Sequence, residues 1–383
     1  MRPIVVLSYC VLALSGCSSM NPMNWFSSTP PGAKPAELPV LSNPLPVKTL
    51  WRASVGGAGI FVFRPALVGD SVYAAGRDGG VTRLEATTGK VIWKTSVDAP
   101  LSGGVGTDGK LVAVGSDKGV LIVLDAGKGT LLWRARVSSE MLAAPKIAGG
   151  LVLARTADSR IFAFDVADGK RRWVYQRSAA ALIVRSPAGI TVGDDRVYAG
   201  FAGGKLVSLD LETGALRWEA TVSQPKGSTE LERVSDVSGD PALIEREVCA
   251  ASFQGRAACF ESKSGNQIWA REMSTLNGMS IDARYAYVSD VRGAVNSLDR
   301  TNGRSVWKQD RLTWRELSLP LPLGGEIVAG DLFGFVHFFA RDSGAFVARI
   351  ATDGGAIRAA PVRLPNNAVL IQTLNGGLFA LSL

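Results

Sequence analysis

Six times along this chain a glycine is followed four residues later by a tryptophan, and this repeat restricts the fold more than any other feature. The pairs are Gly89/Trp93, Gly129/Trp133, Gly169/Trp173, Gly214/Trp218, Gly265/Trp269 and Gly303/Trp307. A seventh copy at Gly344 carries Ala348 in place of the tryptophan, and the glycine intervals are 40, 40, 45, 51, 38 and 41 residues. Self-similarity at a fixed period of this size marks a solenoid, a propeller or an array. The content of each repeat decides among them. Arg64–Val68, Ser71–Arg77, Val81–Ala86 and Lys90–Val97 are short β-branched and aliphatic runs separated by the turns Gly69-Asp70, Asp78-Gly79-Gly80 and Thr88-Gly89. Such runs between glycine turns are strands joined as hairpins. The middle turn recurs at Gly119, Gly204, Gly255, Gly293, Gly334 and Gly377, and only the third repeat departs, with Arg160. A four-stranded sheet of about 40 residues cannot bury both faces alone, and radial packing of such sheets around a channel solves this.

The chain ends complete the count. Trp51 has the context of a fourth-strand tryptophan with no first three strands upstream, whereas 357–383 supply three strands and stop. The expected fold class is therefore all-β: an eight-bladed propeller over 47–383 whose last blade is closed by the N-terminal strand. Seven of the nine tryptophans then hold one blade position, which makes them structural wedges.

Ahead of the propeller lies a targeting segment. Arg2 precedes an apolar run from Ile4 to Leu14, too short for a membrane span of ~20 residues. It ends in Leu14-Ser15-Gly16-Cys17, which resembles the bacterial lipobox. Residues 1–16 then read as a signal peptide and Cys17 as the lipidated mature N-terminus; Ser18 at the next position favours the outer membrane by resemblance to the enterobacterial sorting rule. Residues 17–46 are proline-rich and read as a stiff, extended tether. Trp25 and Phe26 within it either rest among lipid headgroups or are simply exposed.

With Cys10 and Cys17 accounted for, Cys249 and Cys259 remain, either side of the turn at Gln254-Gly255. In an oxidising compartment they either pair across a hairpin or are two small buried residues. The net charge of +8 suits acidic protein patches, lipid headgroups or an evenly solvated surface.

The repeat also resembles the tryptophan-docking motif of the pyrroloquinoline quinone dehydrogenases, which are eight-bladed propellers. That enzymatic reading lacks its chemistry here. The chain has no adjacent cysteine pair and no long insertions, and its single histidine, His337, sits on an apolar strand as a packed residue. No metal spacing, phosphate loop or catalytic triad is present, so no cofactor and no enzymatic activity are expected.

A lipidated propeller with an N-terminal tether resembles the BamB family, the scaffold lipoproteins of the outer-membrane β-barrel assembly machinery, over the whole mature chain. The stretch Ser223–Asp236, SQPKGSTELERVSD, and the run Leu182-Ile183-Val184-Arg185 are the most specific. The resemblance implies that these regions bind the POTRA domains of BamA, with Leu182, Val184, Arg185 and Asp236 carried over. It further implies help in folding and inserting β-barrels, with unfolded barrel proteins as possible clients and the propeller monomeric. Where that family has a second acid, this chain has Ser238, so one acid rather than a pair is carried over. Both stretches fall in the two longest glycine intervals, and both follow a tryptophan strand. They should emerge on one face as a composite surface, with exposed Leu182 and Val184 beside a cationic anchor. Alternatively, Leu182–Val184 is a slipped inner strand. Asp236 either meets the partner or holds Arg185 and the loop.

Overall fold

The computed structural model describes residues 33–178 and 182–383; the signal peptide, Cys17, Trp25 and Phe26 lie outside them. The described chain forms eight antiparallel four-stranded sheets. In the first blade the strands are Ala66–Val68, Ser71–Ala75, Gly80–Glu85 and Val91–Ser96, within a few residues of those expected. Blade 8 takes three strands from the C-terminus and its fourth, Lys48–Ser54, from the N-terminal end. Trp51 pairs with Ala380 and Ser54 with Gly377, so the ring closes by hydrogen bonds between the two ends of the propeller.

The core is not one centre but eight layers, each shared by neighbouring blades. Val72, Ala74 and Leu84 of blade 1 pack with Leu370, Leu378 and Ala380 of blade 8, and blade 1 packs on blade 2 through Tyr73, Val81, Val112 and Ile122. The tryptophans work at these seams. Each indole N–H donates to a backbone carbonyl of the next blade: Trp51 to Ala86 at 2.9 Å, Trp93 to Ala126 at 3.0 Å, Trp133 to Val166 at 2.9 Å and Trp173 to Leu211 at 3.1 Å. Trp218, Trp269 and Trp307 repeat the contact with Ser262, Arg300 and Arg341. Each ring also lies on the turn glycine of that next blade. A Cβ at Gly89 would stand 2.5 Å from the Trp51 ring, and one at Gly344 2.4 Å from that of Trp307. The repeat therefore requires glycine both for its positive φ and for the indole face above it.

This contact explains Ala348. A tryptophan there would need the turn between the third and fourth strands of blade 8. That turn does not exist, because Ser382 and Lys48 stand at the two chain ends of the seam. Ala348 is fully buried, and Val47 packs in its cluster instead. The third blade departs at Ser159 rather than at Arg160. Ser159 holds φ +64° and its carbonyl accepts from Arg177, as Gly119 accepts from Val137 in blade 2. Arg160 is simply the first residue of the next strand.

Every fourth strand carries a bulge one residue before the docking position. The extra residue is Leu50, Ile92, Leu132, Arg172, Arg217, Ile268, Val306 or Val347. Bulges twist an edge and interrupt its pairing, a common protection for open sheets.

The described part of the proline-rich segment does not stand away from the body. Ala36 N–H donates to Thr313 at 2.9 Å, the Ala36 carbonyl accepts from Arg315, the Pro39 carbonyl accepts from Arg349 at 3.1 Å, and Leu45 N–H donates to Val347 at 3.0 Å. Leu38 packs against the buried cluster between blades 6 and 7. Residues 36–45 thus form a strap across the outer edge of blade 7, the blade without a docking tryptophan. Beneath it, Asp331 receives Arg315 Nε at 2.7 Å and His337 Nε2 at 3.0 Å, all three side chains being buried. Leu38→Asp is expected to release the strap: hydrogen exchange at the Ala36 and Leu45 amides should rise toward unprotected rates while the amides of blades 2–4 keep their protection.

Burial pushes the His337 imidazole below its ordinary 6.5, against the opposing effect of Asp331. The folded state therefore binds this proton less readily than the unfolded chain. The associated stability is present above pH 6.5 and is lost as the pH falls below it. Denaturation midpoints of the protein should decline below about pH 6.5, and His337→Gln should flatten that part of the profile.

Candidate docking surface

The turns between second and third strands and the connections between blades share one face, shown by Val97 N–H donating to Gly79 and Leu101 N–H to Arg77. Both long connections emerge there. The first, between blades 3 and 4, presents Leu182, Ile183, Val184 and Arg185; residues 179–181 of it lie outside the described set. The second, between blades 4 and 5, covers 222–236.

The structure separates the four expected contact residues into two pairs with different work. Leu182 is 39% exposed and Arg185 is exposed, so these two form the accessible pair. Val184 is buried at 9%, a correction to the expectation that it stands exposed beside Arg185. Its amide is anchored: Val184 N–H donates to Asp236 Oδ2 at 2.6 Å, and Val184 lines a cleft together with Ala188 and Val237. Asp236 is 6% exposed and also accepts from Gly203 N–H. Of the two roles open to it, holding the loop is the one the geometry supplies. Burial pushes the Asp236 carboxyl up, partly offset by those two amide bonds and by Arg155.

Arg185 is held by a residue that the sequence reading missed. Its Nε and Nη2 donate to Glu140 Oε1 and Oε2 at 3.0 and 2.7 Å, a fork-to-fork pair that fixes the guanidinium plane. The same guanidinium lies 5.2 Å from the Phe61 ring centre, and Arg77 lies over that ring at 4.4 Å. Arg77 in turn pairs with Asp117 at 2.9 Å. Glu140 and Phe61 sit in connections of ordinary length, so the repeat spacing holds no signal for them.

The 223–236 connection is preorganised by its own polar groups. Glu232 Oε2 accepts from the Ser228 and Thr229 amides at 2.7 and 3.1 Å, and Glu232 N–H donates to Thr229 Oγ1 at 3.2 Å. These amide bonds hold the Glu232 carboxyl below the usual carboxylate range. At the base Ser252 Oγ donates to Ser223 Oγ at 3.0 Å, and Ser223 bonds Ser235. The loop tip exposes Leu231 at 48%. Between the two connections a cleft of about 210 Å³ is lined by Leu182, Pro225, Glu230, Arg233, Val234 and Asp236. A rim with two apolar tips, a guanidinium held by Glu140 and a side-chain-sized cleft has the composition of a docking surface.

Behind the rim, Arg155 donates to Gly189 O at 3.0 Å and lies over Phe201 at 4.8 Å. Burial pushes its guanidinium down to about 10, opposed by Asp240 and Asp236. Asp236→Ala would leave the Val184 amide without its acceptor, a loss of about 1–3 kcal/mol for a buried group. The expected outcome is a lower unfolding midpoint and raised hydrogen exchange across 182–186, whereas Asp236→Asn, which keeps an acceptor oxygen, should retain protection.

In blade 5, Cys249 and Cys259 are directly opposite across an antiparallel pair and are joined by a disulfide, with Cα atoms 4.0 Å apart. Both are fully buried. Among the described residues no group of three or more His, Cys, Asp or Glu side chains is placed to hold a metal ion.

Known proteins share this sequence and fold. A family model described as outer membrane protein assembly factor BamB matches residues 48–103 and 77–309. The chain is 41% identical to the outer membrane protein assembly factor BamB of Burkholderia pseudomallei, over 98% of this chain and 96% of that one. To the Escherichia coli protein of the same description it is 32% identical, over 97% and 96%. Among solved structures, BamB from Moraxella catarrhalis superposes with a TM-score of 0.81 at 27% identity, covering 88% of this chain and 100% of the other. Quinohemoprotein alcohol dehydrogenase from Comamonas testosteroni superposes at 0.67 with 13% identity, over 88% and 76%, a likeness of fold.

Proposed function

The chain belongs to the BamB family of outer membrane protein assembly factors, and from that premise we propose that it docks on the POTRA domains of BamA through the rim built by 182–185 and 223–236. It is a scaffold in outer membrane protein assembly, acting without cofactor or catalysis. The observation that carries the docking reading is the division of labour at the rim. Asp236 and Glu140 hold their neighbours from below, and Leu182 and Arg185 are left presented to a partner. A fixed cation beside an aliphatic tip is the composition of an interface hot spot.

Removal of residues 1–16 and lipidation at Cys17 would place the chain on the periplasmic face of the outer membrane. Thr313, which accepts from Ala36, precedes Trp314, whose N–H donates to the second-to-third-strand turn at Arg292. Ala36, at the start of the strap, is therefore held at the same face as the docking rim. The bulges in all eight fourth strands favour orientation of the partner over pairing of client strands with the blade edges. A photocrosslinker placed at Leu182 in cells should capture BamA, and one placed at Ile92 or Leu132 should capture no unfolded barrel protein. Client capture at those edges, with none of BamA at Leu182, would overturn the reading.

A further inference from the structure

Blades 8, 1 and 2 are neighbours in the ring, and their outer strands combine cations, no acids and no carboxylate partners; the outer strand of blade 3 is also acid-free, but Lys170, Arg172 and Arg177 on it are paired with Asp168, Asp165 and Glu219. Residues 48–54, 90–97 and 130–137 contain six cationic side chains, Lys48, Arg52, Lys90, Lys94, Arg134 and Arg136, and no Asp or Glu. All six are exposed, and among the described residues none makes an ion pair with a carboxylate. The outer strands of blades 3 to 5 are different. There Arg172 is paired with Asp165, Arg177 with Glu219, Arg217 with Asp210, and Glu272 with Arg256. Of the acids flanking these strands, Glu85 and Asp125 are engaged by Thr88 Oγ1 and by the Lys128 amide in their own turns, and the exposed Asp98 follows the blade 1 strand without an ion pair among the described residues.

Between the cations, the bulges push aliphatic side chains outward. Leu50, Ile92 and Leu132 are the extra residues of their bulges and are 52%, 49% and 48% exposed; Val91 and Leu131 beside them are 50% and 49% exposed. In blades 3 and 4 the bulge residue is arginine, at 172 and 217. The wall of blades 8, 1 and 2 thus alternates aliphatic tips with cations that have no carboxylate partner, Arg134 donating to the Val97 carbonyl at 2.8 Å and Arg52 lying over the Phe379 ring; their stems can lie along apolar surface while the charged heads stay in water.

We infer that this wall binds the surface of an anionic phospholipid bilayer, with Lys and Arg on the headgroup phosphates and Leu50, Ile92 and Leu132 in the interfacial layer. The charge complementarity is one-sided, as a polyanionic surface requires, and the aliphatic tips supply the apolar part of an interfacial contact. An extended peptide is a poorer occupant, because the bulge breaks the edge at the same residues. The inference rests on the family's association with the outer membrane, which brings a bilayer within reach. The wall is formed by outer strands and the docking rim by inter-blade connections on one face, so the two are different surfaces of the ring.

The test uses the chain from Ser18, which contains the strap and all eight blades, in flotation with vesicles of equimolar phosphatidylglycerol and phosphatidylcholine or of phosphatidylcholine alone. Each basic residue held at an anionic surface is worth about fivefold in partition. The unsubstituted chain should prefer the anionic vesicles by tenfold or more and lose that preference as salt is raised. Lys90→Glu/Lys94→Glu/Arg134→Glu should abolish the preference, and Ile92→Ser/Leu132→Ser should weaken it several-fold. Arg246→Glu/Lys263→Glu/Arg284→Glu, which reverses equal charge on blades 5 and 6, should leave it intact. Binding to the BamA POTRA region, measured on the same samples, reports folding and the docking rim independently. No preference for anionic vesicles in a chain that still binds POTRA domains would overturn the inference alone. Equal loss in the two charge-reversal variants would overturn it as well, by showing attraction through net charge without a defined wall.

Discussion

Replacing Trp51 by alanine is expected to lower the free energy of unfolding by about 3–5 kcal/mol, the usual cost of truncating a buried aromatic. A domain of this kind has ~5–15 kcal/mol in total, so the loss is a large fraction of the stability available. Trp51 combines three contacts. It is 7% exposed, it packs with Val72, Leu84 and Leu370 across the seam of blades 8 and 1, and its N–H donates to Ala86. Its ring also closes over Gly89. The other docking tryptophans stand on strands tethered at both ends, whereas 48–54 is the strand that closes the ring. Loss of Trp51 therefore weakens the closure as well as one seam. Chemical denaturation followed by intrinsic fluorescence measures the effect, with Arg52→Ala on the exposed side of the same strand as a near-neutral comparison. A change under about 1 kcal/mol for Trp51→Ala would mean that closure does not depend on the indole. Ala348→Trp should also destabilise: Ala348 is fully buried and no turn stands opposite to receive a ring.

The second large effect falls on binding and leaves the fold alone. Arg185→Glu is expected to reduce affinity for the POTRA region of BamA by ten- to a hundredfold, about 1.4–2.8 kcal/mol, with a denaturation midpoint close to that of the unsubstituted chain. The side chain of Arg185 is 43% exposed in its pair with Glu140, so the pair itself contributes under about 1 kcal/mol to folding. Its value lies in presentation. Glutamate at 185 would face Glu140 with like charge and offer the partner an anion where a cation is fixed. The double variant Arg185→Glu/Glu140→Arg restores an internal pair with its polarity reversed. It should regain the local geometry and not the affinity, which separates a binding role for the cation from a purely structural one.

Much of the architecture was legible because a repeat exposes the same physical requirement many times. The glycine under each indole must be glycine, the turn must reach left-handed φ, and the strands between must be apolar on the faces that meet neighbouring blades. The missing tryptophan at 348 was visible as an exception, but its cause was not. It depends on which blade lies next in the ring and on a turn replaced there by two chain ends. The same limit hid the strap. Residues 36–45 have no periodicity, and their docking comes from Arg315, Arg349 and Val347, some 300 residues away.

At the rim, sequence showed where and not which way. Glycine intervals of 45 and 51 residues located both long connections. They could not show that the Asp236 carboxylate takes the Val184 amide, nor that Val184 is the buried one of the three apolar residues in the run. Glu140 was invisible because it lies in a connection of standard length, brought beside Arg185 by the packing of blade 3 against its neighbours.

The most direct test of the docking role is a calorimetric titration of the chain from Ser18 with the POTRA region of BamA from the same organism. Association at a dissociation constant of about 1 μM or tighter, falling at least tenfold in Arg185→Glu, is the expected result. A correctly folded chain that gives no binding heat at several temperatures, or binds equally well with glutamate at 185, would contradict it.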